Sequence, residues 1–368
     1  MLIDYSFLFD FLRDSYSMLS YNNKSNRVIT PLRYFIDITY RCNLSCPYCY
    51  IGKERQLDEL STEEWKKVID QMPRFGIISF IGGEPLVRKD FKEVYEYASK
   101  RCPGRVNLYS NAMLLNDELI QSFIKNKLLE FSFSLDGIGE VHDKSRNCPG
   151  GYDKIVSNIQ NLQSQAKGKA KIIYDVKTVL HENNLDEMPK LFELCGKNNW
   201  EFLSITFLRT IFLKQCPDLR AELTPEFNCY YEPPKFYFDM AKFREVFKEI
   251  DKMSKHYKTK LRWAPKFKPF NNADDVEKFF TESEKGVAQT KMFQPCLFPF
   301  SNLYINPSGH VYPCLSIDMG SVREKPLMEI VNSPEFIKFR GQLKKAKMFT
   351  SCQMCCEPHF KKDFLKSK

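Results

Sequence analysis

The chain has 368 residues, 43% hydrophobic and 27% charged, which excludes a disordered chain and fits a globular protein able to bury a large core. A net charge of +9 is mild for this length, and the basic residues are scattered apart from the tail "KKDFLKSK". That pattern speaks against nucleic-acid binding, which asks for a dense basic face.

In chain order, the first segment is "MLIDYSFLFDFLRDSYSMLSY", aromatic and apolar but interrupted by Asp4, Asp10, Arg13 and Asp14. It has no basic n-region and no small-residue cleavage site, so it is a poor signal peptide. It is also too interrupted for a spanning helix, which needs about 20 nearly unbroken apolar residues. Residues 1–32 are therefore read as an amphipathic helical extension packed on the main domain, with no stable membrane insertion, in a cytoplasmic protein. Thirteen cysteines in such a chain point to metal or redox chemistry rather than disulfides.

From Arg33 to about residue 210, strand-like runs ("YFIDITY", "GIISFIGG", "RVNLYSN", "LEFSFSLD", "KIIYDVKTVL", "EFLSITFL") alternate with helical stretches. The helix "STEEWKKVIDQM" opens with Ser61 and, three residues on, Glu64, the pattern of a capping box. Six strands alternating with helices imply parallel, right-handed βα units. The expected class is α/β, a partial (β/α)6 TIM-like barrel over 33–210, with reactive residues in the loops after the strands. Residues 211–292 read as a helical linker region, dominated by "FYFDMAKFREVFKEIDKMSKH" with Pro-rich connectors. Residues 293–368 form a small cysteine-rich domain, with a hairpin predicted around Asn306-Pro307-Ser308-Gly309 and a helix leading to "SCQMCC".

Just after the first strand stands "CNLSCPYC", which places Cys42, Cys46 and Cys49 in a C-x3-C-x2-C spacing. A structural zinc site would recruit a fourth Cys or His. Three thiolates on a four-iron cluster would instead leave one iron open to an exchangeable ligand. A second signal follows the second strand, "IGGEPL", with Gly82, Gly83, Glu84 and Pro85. On its own it is an ordinary tight turn; as a site it lets backbone approach a ligand and sets a carboxylate beside it.

These stretches resemble the radical S-adenosylmethionine (SAM) enzymes: the CxxxCxxC motif with an aromatic, Tyr48, before its last cysteine, and the GGEP motif one strand on. "LYSNAML" resembles the family's polar pair, here Ser110 and Asn111, and "FSFSLDGIGEVHDKSR" the S-L-D-G and H-D-x-x-R stretch of one large subgroup. The resemblance implies a [4Fe-4S] cluster on Cys42, Cys46 and Cys49 whose open iron chelates SAM. It makes Tyr48, Gly82, Gly83, Glu84, Pro85, Ser110, Asn111, Ser134, Asp136 and Arg146 candidates for holding the cofactor. His142 reads as structural rather than catalytic.

In the tail, Cys296 and Cys314 are separated by seventeen residues, and Cys352, Cys355 and Cys356 follow beyond a helix. Four thiolates suit zinc or an iron–sulfur cluster, and spacing does not choose between them. The tail resembles the SPASM and Twitch extensions of the same enzymes, through C-x12-G-x4-C. With five cysteines it falls short of the seven or more of a full SPASM tail. That implies one auxiliary [4Fe-4S] cluster, on Cys296, Cys314, Cys352 and Cys355, with Cys356 the alternative ligand. Cys148 and Cys229, both in loop-like stretches, are candidates for donating a hydrogen atom to a substrate radical.

The expected function is radical chemistry on a peptide or protein (crosslinking, epimerisation or oxidation), with a flavodoxin or ferredoxin as electron donor. The alternatives are radical modification of a small molecule such as an aminosugar or tetrapyrrole and, in another class, a noncatalytic zinc or iron–sulfur scaffold.

Overall fold

Seven short runs, each apolar at alternate positions, pair side by side in the order of the chain. The structure is a computed structural model that describes residues 15–49, 51, 58–208, 238–264, 273–284, 289–314, 317–349 and 352. The strands are β1 (Arg33–Thr39), β2 (Ile77–Gly82), β3 (Val106–Ser110), β4 (Glu130–Ser134), β5 (Ile173–Leu180), β6 (Phe202–Phe207) and β7 (Lys260–Ala264). Together with β8 (Asn302–Ile305) and β9 (Val311–Tyr312) they form one sheet, ordered β7-β6-β5-β4-β3-β2-β1-β8-β9. β1 to β7 are parallel throughout; β8 adds parallel to the free edge of β1, and β9 returns antiparallel to close a hairpin.

The six strands expected from the sequence are present at their expected places. The stretch 211–292, read as a helical linker, supplies the helix Met240–Ser254 but also β7, which pairs with β6. "KLRWA" is too short and too charged to announce a strand; the open edge of β6 makes it one. The tail likewise does not stand apart, because its hairpin continues the barrel sheet from the β1 edge.

Strand alternation gives the sheet two unlike faces. One carries Tyr34, Ile36, Ile78, Phe80, Leu108 and Phe131, all buried in the main core under the helices. The helix Thr62–Asp70 belongs to that layer, burying Trp65, Val68 and Ile69. Its capping box is formed, with Ser61 N donating to Glu64 Oε2 (2.8 Å) and Glu64 N to Ser61 Oγ (3.3 Å), a feature worth about 1 kcal/mol.

The opposite, concave face carries polar side chains on successive strands, Arg33, Ser79, Asn107, Ser132, Asp175 and Ser204, with Ser79 level with Asn107 and Ser132 with Asp175. A parallel sheet covered by apolar side chains on both faces would carry no such row. The row marks the face that is kept for something other than packing.

The helical residues 15–22 rest on the start of the tail, through Ser17 Oγ to Ser301 Oγ (2.7 Å) and Tyr21 against Phe300 (5.1 Å between rings). Arg340, fully buried, staples the same region. Its guanidinium donates to the carbonyls of Pro299 (2.8 Å), Val331 (2.8 Å) and Asn26 (3.4 Å). Burial lowers its pKa to about 9, so it stays charged near neutrality.

Candidate active site

The sheet brings the loops after β1, β2, β3 and β4 to one rim. Cys42, Cys46 and Cys49 lie in the first of these loops, half-exposed or exposed, where Cys49 N donates to Cys46 O (3.1 Å) and Leu44 N to Cys42 Sγ (3.4 Å). Although the residue is exposed, desolvation around its sulfur pushes the Cys42 thiol up to about 11, with Glu84, Cys46 and Cys49 acting in the same direction. Cys46 is raised too, by burial and, against the pull of Arg146, by Cys49. Three thiols within reach of each other's charge repel as thiolates and hold together when a metal neutralises them, so this donor set fits an iron–sulfur cluster.

Gly82 and Gly83 lie against the start of that loop. Gly83 N donates to Thr39 O (2.8 Å) and Glu84 N to Arg41 O (2.9 Å). A Cβ on Gly83 would fall 2.3 Å from Arg41 O and 2.8 Å from Tyr40 O. At Gly82, where φ is +123°, it would fall 2.4 Å from Thr39 O. The glycines thus let the second loop lie directly on the backbone that leads into the cysteines, which the bare motif did not reveal.

Pro85 is buried and opens a short 3-10 turn, Pro85–Val87, which Glu84 caps. Glu84 is fully buried; Oε1 accepts from Leu86 N (3.0 Å) and Ser110 Oγ (2.8 Å), and Oε2 accepts from Asn111 N (2.6 Å). Burial raises its pKa to about 7 despite these three donors. Among the described residues no cation pairs with it, so it is a desolvated carboxylate beside Cys42 that fits a positively charged ligand. Ser110 and Asn111 spend hydrogen bonds on Glu84, and Asn111 Nδ2 also donates to Asn43 Oδ1 (2.8 Å) in the cysteine loop. Ala112, next in line, is held at φ +60°.

Asp136 and Arg146 form a buried pair, with Nε to Oδ2 at 2.7 Å and Nη2 to Oδ1 at 3.3 Å. Tyr48 donates its hydroxyl to the same carboxylate, and Val179 N (2.8 Å) and Thr178 Oγ1 (3.3 Å) donate to Oδ1. Burial acts to raise Asp136, yet Arg146 and these donors hold it below the usual carboxylate value. With five donors on two oxygens, Asp136 anchors Tyr48, and through it the cysteine loop, to β4 and β5. Arg146 also lies over the Tyr48 ring, 5.8 Å from its centroid. Ser134 ends β4, half-buried, in register with Lys177.

His142 is buried and accepts from Asp136 N at Nδ1 (3.1 Å), and burial pushes its pKa down to about 4, which fits the structural reading. Cys148 is buried nearby, and burial with Asp143 raises its thiol to about 11. Asp143 accepts from Gly150 N (2.6 Å) and Tyr152 N (2.8 Å), which shapes that turn. Cys229 lies outside the described residues.

In the tail, Cys296 and Cys314 pack against the same aromatic cluster of Phe35, Phe298 and Tyr304. Cys352 sits with them: its thiol is raised by burial, and further by Cys296 and Cys314. Three of the four expected ligands therefore converge, and as a set of mutually repelling thiols they fit a second metal centre. Cys355 and Cys356 lie outside the described residues.

Several residues at this rim carry no motif of their own in the sequence. Arg88 is buried and ties the first two loops together, donating to Ile38 O (3.0 Å) and Leu60 O (3.1 Å) and pairing with Glu59 (3.3 Å) and Asp90 (2.7 Å). Asn184 bridges Asp136 O (2.8 Å) and Val179 O (2.9 Å). The charged residues of the concave face, Arg33, Asp175, Lys177 and Arg262, did leave a signal: charges at alternate positions of strands inside an α/β sheet.

Residues 36–195 match the Radical SAM superfamily and residues 296–356 match SPASM, an iron–sulfur cluster-binding domain. An AdoMet-dependent heme synthase of Methanosarcina barkeri is 28% identical over 87% of this chain and 86% of its own. A PqqA peptide cyclase of Rhodopseudomonas palustris is 32% identical over 45% of this chain and 43% of its own. The crystal structure of Streptococcus suis SuiB bound to S-adenosylmethionine aligns with a TM-score of 0.65, at 15% identity, over 94% of this chain and 82% of that one, a likeness of fold.

Proposed function

The chain belongs to the radical SAM superfamily and is an enzyme of that kind with an iron–sulfur-binding tail; on that premise we propose that Cys42, Cys46 and Cys49 hold the [4Fe-4S] cluster and that the concave face of the sheet holds an organic substrate. When bound, the cluster and SAM would supply the one-electron reduction and the radical needed to abstract hydrogen from the substrate. The observation that carries this reading is Glu84: a buried carboxylate with no cationic partner among the described residues, lying beside Cys42.

The protein's part is positioning and exclusion. Glu84 holds the ammonium of SAM by charge, while Ser110 and Asn111 keep its carboxylate aimed. Gly82 and Gly83 keep the loop thin enough to lie on the cysteine backbone, and the Tyr48–Asp136–Arg146 clamp fixes the other end of the cysteine loop. Ser134, half-buried at the end of β4, would offer its hydroxyl to the ribose of the cofactor. One auxiliary four-iron cluster is held by Cys296, Cys314, Cys352 and Cys355, and a flavodoxin or ferredoxin supplies the electron.

For the substrate class, a small molecule is favoured. A relative that aligns over 87% of this chain is named for heme synthesis, whereas the peptide cyclase aligns over 45% of it. A peptide is the second reading, supported by the higher identity in that shorter alignment.

Anoxically reconstituted protein with dithionite is expected to hold about eight irons, as two four-iron clusters, and to convert SAM to 5′-deoxyadenosine. Changing Cys42, Cys46 and Cys49 together to alanine is expected to abolish the conversion. Turnover that persists in the triple variant would refute the assignment, and a colourless zinc-loaded protein would favour the scaffold.

A further inference from the structure

The stretch of chain that carries the three early cysteines leaves β1 at Arg41 and is caught again at Asp58, Glu59 and Leu60. Its start is held through the backbone: Arg41 N donates to Thr39 Oγ1 (3.0 Å), and Arg41 O accepts from Glu84 N (2.9 Å). Its return is held by the tail. Leu60 N donates to Pro307 O (2.7 Å) in the turn of the β8–β9 hairpin. Arg323 donates to Asp58 Oδ2 (2.6 Å), to Glu59 O (3.4 Å) and to Glu64 Oε1 (2.8 Å).

The Glu59 side chain, 18% exposed, joins the two ends. Oε1 accepts from the hydroxyl of the buried Thr39, and Oε2 accepts from Arg41 Nη2 (3.1 Å) and Arg88 Nη1 (3.3 Å). Arg88 does not depend on it, because Asp90 takes Nε (3.0 Å) and Nη2 (2.7 Å). The buried Arg88 therefore fixes where the Glu59 carboxylate stands, and that carboxylate fixes Arg41, the residue before Cys42.

Arg41 is 63% exposed, and among the described residues Glu59 is its one ionic partner. An exposed ion pair adds little to the stability of a fold. This one instead ties together residues eighteen positions apart, with all three cysteines between them. A loop already closed at its base loses less entropy when its thiolates are brought to one centre.

We infer that Glu59 is a positioning residue that closes the base of the cysteine loop, linking Arg41 to Thr39 and Arg88 so that Cys42, Cys46 and Cys49 retain their cluster. This rests on the proposed function, which puts a cluster on those cysteines. It also gives the tail a part separate from its own iron, since Arg323 and Pro307 hold the segment from which Glu59 reaches back.

The test uses the cluster-loaded full chain under anoxic conditions and follows iron release to the ferrous chelator bathophenanthroline disulfonate. About four irons belong to each cluster, and the phase missing when Cys42, Cys46 and Cys49 are all changed to alanine identifies the first. Iron leaves when the loop opens, so the rate follows the opening equilibrium. Glu59→Gln is expected to speed the first-cluster phase about tenfold, the factor that a hydrogen bond to a charged group provides, and to leave the auxiliary phase unchanged. Arg41→Gln is expected to speed the same phase roughly two- to fivefold with no change in the urea unfolding midpoint, and Arg41→Lys to restore it. In a Glu59→Gln background, Arg41→Gln is expected to add nothing. Should Glu59→Gln fail to fold, the two Arg41 variants, at an exposed position, read the same contact.

An unchanged first-cluster phase in these variants, equal acceleration of both phases, or a full Arg41→Gln effect in the Glu59→Gln background overturns the inference. Unmodified protein that takes up no more iron than the triple-alanine variant would instead overturn the proposed function, so the two failures are read separately.

Discussion

Replacing Glu84 with glutamine separates a buried charge from everything else that titrates in the protein. The carboxyl lies at about 7 in the fold against an ordinary 4.5, because burial disfavours its ionised form. A carboxyl whose folded pKa is above its unfolded one keeps its proton longer in the folded chain. Its contribution to stability therefore falls as the pH climbs from about 4.5 to about 7.

His142 works the other way. It is held down to about 4 against 6.5, so its contribution rises over much of the same range and masks that of Glu84 in the unmodified protein. Both proteins contain His142, so the difference in unfolding free energy between unmodified protein and Glu84→Gln cancels it. From those two Glu84 values, that difference should shift against the unmodified protein by about 2 kcal/mol between about pH 5.5 and pH 8.

The assay is urea unfolding of the SAM-free protein at several pH values. Glutamine also sets an N–H₂ against one of the three donors around Glu84, which adds a constant offset and leaves the slope untouched. With saturating SAM, a cation beside the carboxylate should flatten the slope. A difference that does not change with pH, or one that changes in the opposite sense, would refute the picture of an unpaired buried carboxylate.

Gly83→Ala drives a Cβ into the Arg41 carbonyl at 2.3 Å, so iron content after reconstitution should fall from about eight to about four, with the auxiliary cluster retained. Asp136→Asn breaks a buried ion pair and frees Tyr48, and should lower unfolding free energy in urea by about 3–5 kcal/mol. Arg340→Lys keeps the charge but cannot reach the three carbonyls at once; a loss of about 1–3 kcal/mol in thermal or urea unfolding is expected, and none would mean the staple is idle. Cys296→Ala with Cys314→Ala should remove about four irons while SAM cleavage by dithionite-reduced protein persists.

Much of the site was legible because its chemistry is local in the chain. Cys42, Cys46 and Cys49 lie within one loop, Gly82 to Pro85 within another, and each follows a strand whose apolar alternation announces it. Local hydrogen bonds and local spacing are written into consecutive residues, so the parallel barrel, the cysteine loop and the capping box at Ser61 could be read directly.

What depended on distant residues could not be read. Asp136 looked like a cofactor ligand by its motif, yet donors from Tyr48, Arg146, Thr178 and Val179 fill it, and only the fold brings those together. β7 is a strand because β6 offers an open edge, and the tail hairpin joins the barrel because β1 offers the other. Asp175 draws its two cations from neighbouring positions of β5 and from β7, more than eighty residues on. Burial and charge pairing are properties of the assembled sheet: a strand's sequence fixes which face a side chain takes, and only its neighbours decide what it meets there.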